Sequence, residues 1–197
     1  MIKKLNPIIV QRELKNKGFS VFTPSEFERI FDVSIGATQQ FIHAHVVKKF
    51  FTKLRNGLYA LGDDRPSTYF VANKLYRPSY VSLETALSYY GIIPETVYSI
   101  TSVTSKPTQE FETLGMNFTY TRIKQVAFQG YVTQKENDQA YFIAEPEKAL
   151  VDYLYLVSIG MRTWNDRLYT KNISREKLNV YAKLFNRKKL NELIKKI

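Results

Sequence analysis

The chain has 197 residues, 44% of them apolar, and contains no cysteine. That length can bury a core in one domain or two small ones, and the lack of cysteine excludes disulfides, thiol nucleophiles and cysteine-ligated zinc. The net charge of +11 is uneven: residues 1–62 hold 10 Lys and Arg against 4 Asp and Glu, residues 63–160 hold 8 against 11, and residues 161–197 hold 11 against 3. Basic ends around an acidic middle point to a polyanion partner for at least one end, the alternative for the C-terminal part being a basic tail kept for solubility. No run approaches the roughly 18–20 apolar residues of a membrane span, and the apolar stretch after the basic start MIKK is too short for a signal peptide. The expectation is a soluble, cytoplasmic protein with no membrane contact.

Helix punctuation is clear from the first residues. In LNPIIVQRELKNKG, Asn6 can cap, Pro7 fits the first helical position and Gly18 suits a left-handed stop. In FTPSEFERIF, Thr23 and Glu26 form a capping box around Pro24, and Phe27, Ile30 and Phe31 fall on one face. A turn at Asp32–Ser34 leads into a third helix, IGATQQFIHAHVVKKF, and FFTKLR and GLYALG then form a hairpin through Asn56-Gly57. Three short helices and a hairpin predict a winged helix-turn-helix over residues 1–62. GDDRPS at 62–67 marks the boundary.

From 66 to 160 the element types alternate. YFVANKLY and VSLETALSYYG read as helices, the second capped by Ser82 and stopped at Gly91. VYSITSVTS, MNFTYTRIK, FQGYVTQ and QAYFIAE read as strands rich in β-branched and aromatic residues, the last two joined by the turn KEND. AEPEKALVDYLYLVS returns to helix. Residues 161–197 read as a basic extension with two amphipathic helices, capped by Asn172 or Ser174 and by Asn186. The fold class predicted is α+β: a winged helix-turn-helix, a mixed α/β domain with a small, mainly antiparallel sheet, and a helical C-terminal tail.

On a helical wheel of the third helix, Ile35, Ile42 and Val46 form a stripe expected to be buried. Ala37, Gln40, Ala44 and Val47 lie opposite it, flanked by Gln39 and His43. Small residues around an amide suit the floor of a major groove, where Gln pairs with adenine and methyl groups meet thymine. Lys48 and Lys49 at the helix end and Lys53 and Arg55 in the hairpin are placed to contact phosphates, with Asn56 at the hairpin turn beside them. The DNA-binding set is thus Gln39, Gln40, His43, Lys48, Lys49, Lys53, Arg55 and Asn56, the alternative being a protein-docking face. His43 and His45 are the only histidines; they point to different sides of the helix and cannot chelate one metal together. His45 reads as a satisfied or solvent-exposed histidine. No glycine loop for phosphate and no dinucleotide fingerprint appears. The tyrosines at 76, 80, 89, 90 and 98 read as core and rim rather than as a base-stacking platform.

In AEPEKALVDYLYL, Glu145, Glu147, Lys148 and Asp152 crowd together as they do in a Mg²⁺-dependent nuclease. The helical reading makes Glu145 the cap, Pro146 the first helical residue and Glu147 a first-turn acid. Lys148 and Asp152 then form a helix-surface pair, and Leu150, Tyr153, Leu154 and Val157 the inward stripe. No catalytic residue, metal ligand or cofactor is expected on this reading.

The run VANKLYRPSYVSLETALSYYGIIPETVYSITSVTSKPTQEFETLG, followed by AEPEKALVDYLYL and preceded by a unit ending RNGLYALG, resembles the AbiEi-type antitoxins of type IV toxin–antitoxin systems. The resemblance covers residues from about 5 to 160. It implies a phage-defence operon whose antitoxin represses its own promoter through the N-terminal domain; since a single winged helix binds weakly, inverted repeats of double-stranded DNA are expected, read by a homodimer or at two sites. It also implies that the second domain, over the segment from Tyr69 to Leu156, counteracts a nucleotidyltransferase toxin. Two alternatives remain: a winged-helix regulator whose second domain senses a ligand or protein, and a nuclease using the Glu/Lys cluster.

Overall fold

The structure is a computed structural model that describes residues 5–62 and 64–197. The basic start at 1–4 and Asp63 of the GDDRPS segment lie outside the described residues. The protein mixes α and β structure and divides into two compact units, Met1–Ser67 and Thr68–Ile197.

In the first unit, α1 (Pro7–Asn16), α2 (Pro24–Phe31) and α3 (Ile35–Val47) accompany strands β1 (Val21–Phe22), β2 (Phe51–Arg55) and β3 (Leu58–Leu61). Local chemistry sets the helix starts. Asn6 accepts from the Ile8 amide at 2.9 Å. Thr23 Oγ1 accepts from the Glu26 amide at 3.2 Å while Glu26 Oε2 accepts from the Thr23 amide at 2.7 Å, a complete capping box. Ser34 caps α3 after Asp32 turns the chain with φ 53°. The strands form an antiparallel sheet in the order β1-β3-β2, and the β2–β3 hairpin turns at Asn56-Gly57, where Gly57 has φ 71°. An added Cβ at Gly62 would sit 2.2 Å from the Lys49 carbonyl oxygen, so only glycine lets the end of β3 pass the end of α3. The core gathers Val10, Leu14, Phe22, Phe27, Phe31, Ile42, Phe51 and Leu61. Phe27 meets the rings of Phe22, Phe31, Phe41 and Phe51 at 4.5–6.3 Å; truncating such a ring costs about 3–5 kcal/mol.

The second unit is built on a six-stranded mixed sheet in the order β6-β7-β5-β4-β9-β8. Its elements are α4 (Thr68–Leu75), β4 (Ser79–Val81), α5 (Leu83–Tyr89), β5 (Ile100–Thr104), β6 (Gln109–Thr113), β7 (Met116–Arg122), β8 (Tyr131–Glu136), β9 (Gln139–Ala144), α6 (Pro146–Ser158), α7 (Arg175–Lys183) and α8 (Lys188–Ile194). Three of its pairings are antiparallel (β6–β7, β4–β5 and β8–β9), and two, β5–β7 and β4–β9, are parallel. The FQGYVTQ stretch follows a 3-10 turn at Gln125–Ala127, and its strand starts only at Tyr131. The short strands β1, β4 and β6 are additions to the sequence reading.

Helix α6 is the centre of this unit. It is buried on nearly every side, including Glu147, Lys148 and Asp152, against α5, α7 and α8. The Lys148–Asp152 pair is therefore not a surface pair: both side chains are 0% exposed. Amphipathic patterning pointed to one inward stripe, but α7 and α8 cover the face that patterning left to solvent. Leu178, Ala182, Phe185, Leu190 and Ile194 supply the cover, and Phe185 stacks on Tyr155 at 4.3 Å. Ser174 does cap α7, accepting from the Lys177 amide. Asn186 does not cap α8; it turns the chain with φ 46°, and Arg187 takes the cap position.

Candidate nucleic-acid interface

Helix α3 buries Thr38 and Ile42, with Phe41, His45 and Val46 half-buried beside them. Ile35 instead stands 46% exposed, so the buried stripe is rotated from the one expected. Aromatic packing explains the rotation. The Phe41 ring stacks on His45 at 3.9 Å and reaches Phe27 at 5.7 Å and Phe51 at 6.1 Å, which turns that side of the helix inward. His45 is satisfied there, its Nδ1 lying 2.8 Å from the Phe41 carbonyl oxygen.

The rotation moves Gln39 and His43 from the flank to the middle of the outward face. Around them Gly36, Gln40, Ala44 and Val47 are also exposed, Val47 at 74%. A Cβ at Gly36 would meet nothing within 4 Å, so the face is open at its first turn. The surface offers two amides, one imidazole and small apolar groups, with no long side chain to hold a partner at a distance.

Lys48 ends α3, Lys49 follows with φ 58°, and both are exposed, as are Lys53 on β2 and Asn56 at the hairpin tip. Arg55 is half-buried and donates to the Asn56 carbonyl oxygen at 2.7 Å, which ties its guanidinium to the hairpin backbone. Residues 33–62 contain four Lys and Arg and no Asp or Glu. Every formal charge over α3 and the hairpin is thus positive. Gln39, Gln40 and His43 share the helix face, Lys48 and Lys49 close its C-terminal end, and Lys53, Arg55 and Asn56 stand on the hairpin. Exposed Ile35 and Gly36 were not among the expected contact residues. Weighting the wheel toward aromatics rather than aliphatics brings them out.

The charged stretch of the second unit resolves into separate contacts. Glu145 starts α6 and accepts from Tyr181 Oη at 2.8 Å and Lys177 Nζ at 3.2 Å, which holds its carboxyl below the ordinary 4.5. Glu147 accepts from the Ser174 amide at 3.1 Å. Lys148 pairs with Asp152, whose second oxygen accepts from Tyr80 Oη at 3.0 Å and Ser82 Oγ at 2.9 Å. Ser82 precedes α5 as expected, but its hydroxyl serves Asp152 and makes no cap bond. Burial pushes Lys148 down and Asp152 up, against their mutual attraction. Neither group is open to a substrate. Among the described residues no three His, Asp or Glu side chains are grouped to hold a metal ion, and no helix is long and apolar enough to cross a membrane.

A cleft of about 1000 Å³ opens elsewhere in the second unit. Arg162 donates to Glu84 across it at 2.7 Å, and Arg167 and Asn165 both bind Glu95. No family model matches the chain, and no curated protein matches it.

Proposed function

We propose that the first unit is a winged helix-turn-helix DNA-binding domain, and that the protein is a non-enzymatic antitoxin and autorepressor of a type IV toxin–antitoxin operon. The observation that carries the DNA half is the outward face of α3, amide-rich and free of acids, between exposed lysines at its end and on the hairpin. On this reading α3 enters the major groove, Gln39, Gln40 and His43 meet base edges, and Lys48, Lys49 and Lys53 hold phosphates. Arg55, tied to Asn56, shapes the wing tip and adds its charge there. Two protomers on an inverted repeat supply the affinity that one winged helix lacks.

The antitoxin half rests on the resemblance carried by RPSYVSLETALSYYG and AEPEKALVDYLY, which build the centre of the second unit. The partner it names is a nucleotidyltransferase toxin, counteracted through the segment from Tyr69 to Leu156.

A mobility-shift assay with the protein's own upstream DNA tests the first half. Gln39→Ala with His43→Ala should cost about 1–3 kcal/mol and relax sequence preference. Lys48→Ala or Lys53→Ala should weaken all sequences alike and flatten the salt dependence by about one phosphate contact each. Unchanged affinity and preference in the Gln39/His43 variant would show that α3 is not the reading helix. Co-expression with a nucleotidyltransferase encoded in the adjacent reading frame tests the second half, and failure to restore growth would remove the antitoxin role. The cleft at Glu84 and Glu95 favours one competing reading, a regulator whose second unit takes a ligand; that reading expects repression to respond to a ligand and no rescue from a toxin.

A further inference from the structure

A second cavity, of about 400 Å³, lies in the second unit between α4, the start of β4 and the edge hairpin β8–β9. Its walls are aromatic. Phe70 comes from α4, Phe128 from the turn before β8, Tyr131 from β8 and Phe142 from β9. Tyr131 lies 5.7 Å from Phe128 and 5.4 Å from Phe142, and it stacks on buried Tyr80 at 4.7 Å, which holds the Tyr131 ring in place. Phe142 is nevertheless 45% exposed and Tyr131 37%. Large apolar rings left open in a concave site commonly mark a binding surface rather than core.

The charged groups lining this cavity are of one sign. Lys74 and Arg77 line it, Lys74 with its ammonium 5.3 Å above the Phe70 ring, and no Asp or Glu is among its described lining residues. Arg77 is exposed, at the mouth. Ser79 also lines the cavity; it is 6% exposed, and its Oγ has no hydrogen-bond partner among the described residues. Asn73 bonds both backbone groups of Phe142 through its carboxamide, Nδ2 donating to the carbonyl oxygen and Oδ1 accepting from the amide. That pair of hydrogen bonds holds the Phe142 backbone, and with it the open ring, in place. A buried hydroxyl without a partner is costly unless something fills the site.

We propose that this cavity binds a nucleotide, with the base laid on the aromatic wall and the phosphate held by Arg77 and Lys74. Rings accept any base by its π-face, guanidinium and ammonium select the phosphate, and Ser79 Oγ bonds the base or ribose edge. The volume is in the range of small-ligand sites, roughly 300–1000 Å³, and too small for a dinucleotide. The nucleotide is either a free mononucleotide or the end of a nucleic-acid strand. The proposal does not depend on the DNA-reading role of α3, since every residue in it belongs to the second unit.

Calorimetric titration of the full chain tests it with adenosine 5′-monophosphate and the other three ribonucleoside monophosphates, adenosine, inorganic phosphate, and a short single-stranded oligoribonucleotide with a 5′-phosphate. The expected result is saturable binding of the monophosphates, with adenosine and phosphate each at least about tenfold weaker. Phe142→Ala and Arg77→Ala, both at exposed positions and checked by unchanged thermal unfolding, should each weaken binding about tenfold or more. Lys106→Ala, outside the cavity, should leave it unchanged. Tighter binding of the oligonucleotide identifies a strand end as the source, and equal or weaker binding identifies the free nucleotide. No binding of any monophosphate, binding equal to that of phosphate alone, or binding indifferent to both Phe142→Ala and Arg77→Ala would overturn the assignment.

Discussion

Replacing Asp152 by Asn removes one charge from the centre of the second unit and almost no volume. Lys148 then keeps the rings of Tyr80 and Phe185, 5.6 and 5.2 Å from its ammonium, and faces an amide in place of its carboxylate. Breaking a buried pair from one side costs about 3–5 kcal/mol. A second route gives the same size: keeping a lysine neutral at pH 7 costs about 4–5 kcal/mol, at 1.36 kcal/mol for each pH unit below its free value. A surface i,i+4 pair is worth only about 0.2–0.5 kcal/mol, so the two placements differ by roughly tenfold. Trp164 is the only tryptophan and belongs to the second unit, so urea unfolding followed by its fluorescence reports on this unit. The pH dependence carries a sign. Lys148 in the fold lies below its ordinary 10.5, so the unfolded chain binds the extra proton and unfolding free energy from this group rises with pH toward 10.5. The deficit of Asp152→Asn should therefore shrink between about pH 7 and 9. A loss no larger than that of a surface pair, or a deficit flat across that window, would refute the buried-charge account. Lys148→Met should cost less, because Asp152 keeps its hydroxyl partners Tyr80 and Ser82 and burial already favours its protonated form.

Gly62→Ala should drive a methyl into the Lys49 carbonyl and destabilise the first unit by about 1–3 kcal/mol, speeding hydrogen exchange of the β2–β3 amides roughly ten- to a hundredfold. Unchanged exchange would mean that the α3 end and the hairpin are not packed as described. Glu145 is held below its ordinary 4.5 first by Tyr181 and then by Lys177, so its contribution is complete above pH 4.5 and fades as pH falls through its lowered value. Glu145→Gln should thus lower the Trp164-detected stability at neutral pH, with the difference from the parent closing in acid; a difference that widens there would reverse the assignment.

The parts of the fold legible in the sequence are those set by neighbours in the chain. Asn6, Thr23 and Glu26 do what their spacing announces, because a cap is complete within three residues. Strands β1 and β4, of two and three residues, carry no period of their own and exist because β3, β5 and β9 lie beside them. Ser82 has both outcomes at once. Its position before α5 was legible, while its hydroxyl bonds Asp152, 70 residues further on, which no local pattern encodes.

The same division separates the two candidate sites. The face of α3 was legible in kind because one helix supplies it, and it was mis-centred because Phe41 and His45 pack with Phe27 and Phe51 from other elements. The cavity at Phe142 could not be read at all, since α4, β4, β8 and β9 meet there only through the crossed order of the sheet. Read singly, Arg77 is a surface charge, Phe142 one of several strand aromatics, and Ser79 a small polar residue before a strand. Their chemistry becomes specific only when the sheet places two cations beside open rings and a buried hydroxyl. In the AEPEKALVDYLYL segment the effect runs the other way. Packing takes a cluster that looked reactive and spends each charge on a partner: Glu145 on Lys177 and Tyr181, Glu147 on the Ser174 amide, Asp152 on Lys148. Density of ionisable residues along the chain therefore says little here, and what separates a site from a scaffold is whether a polar group is left facing open space.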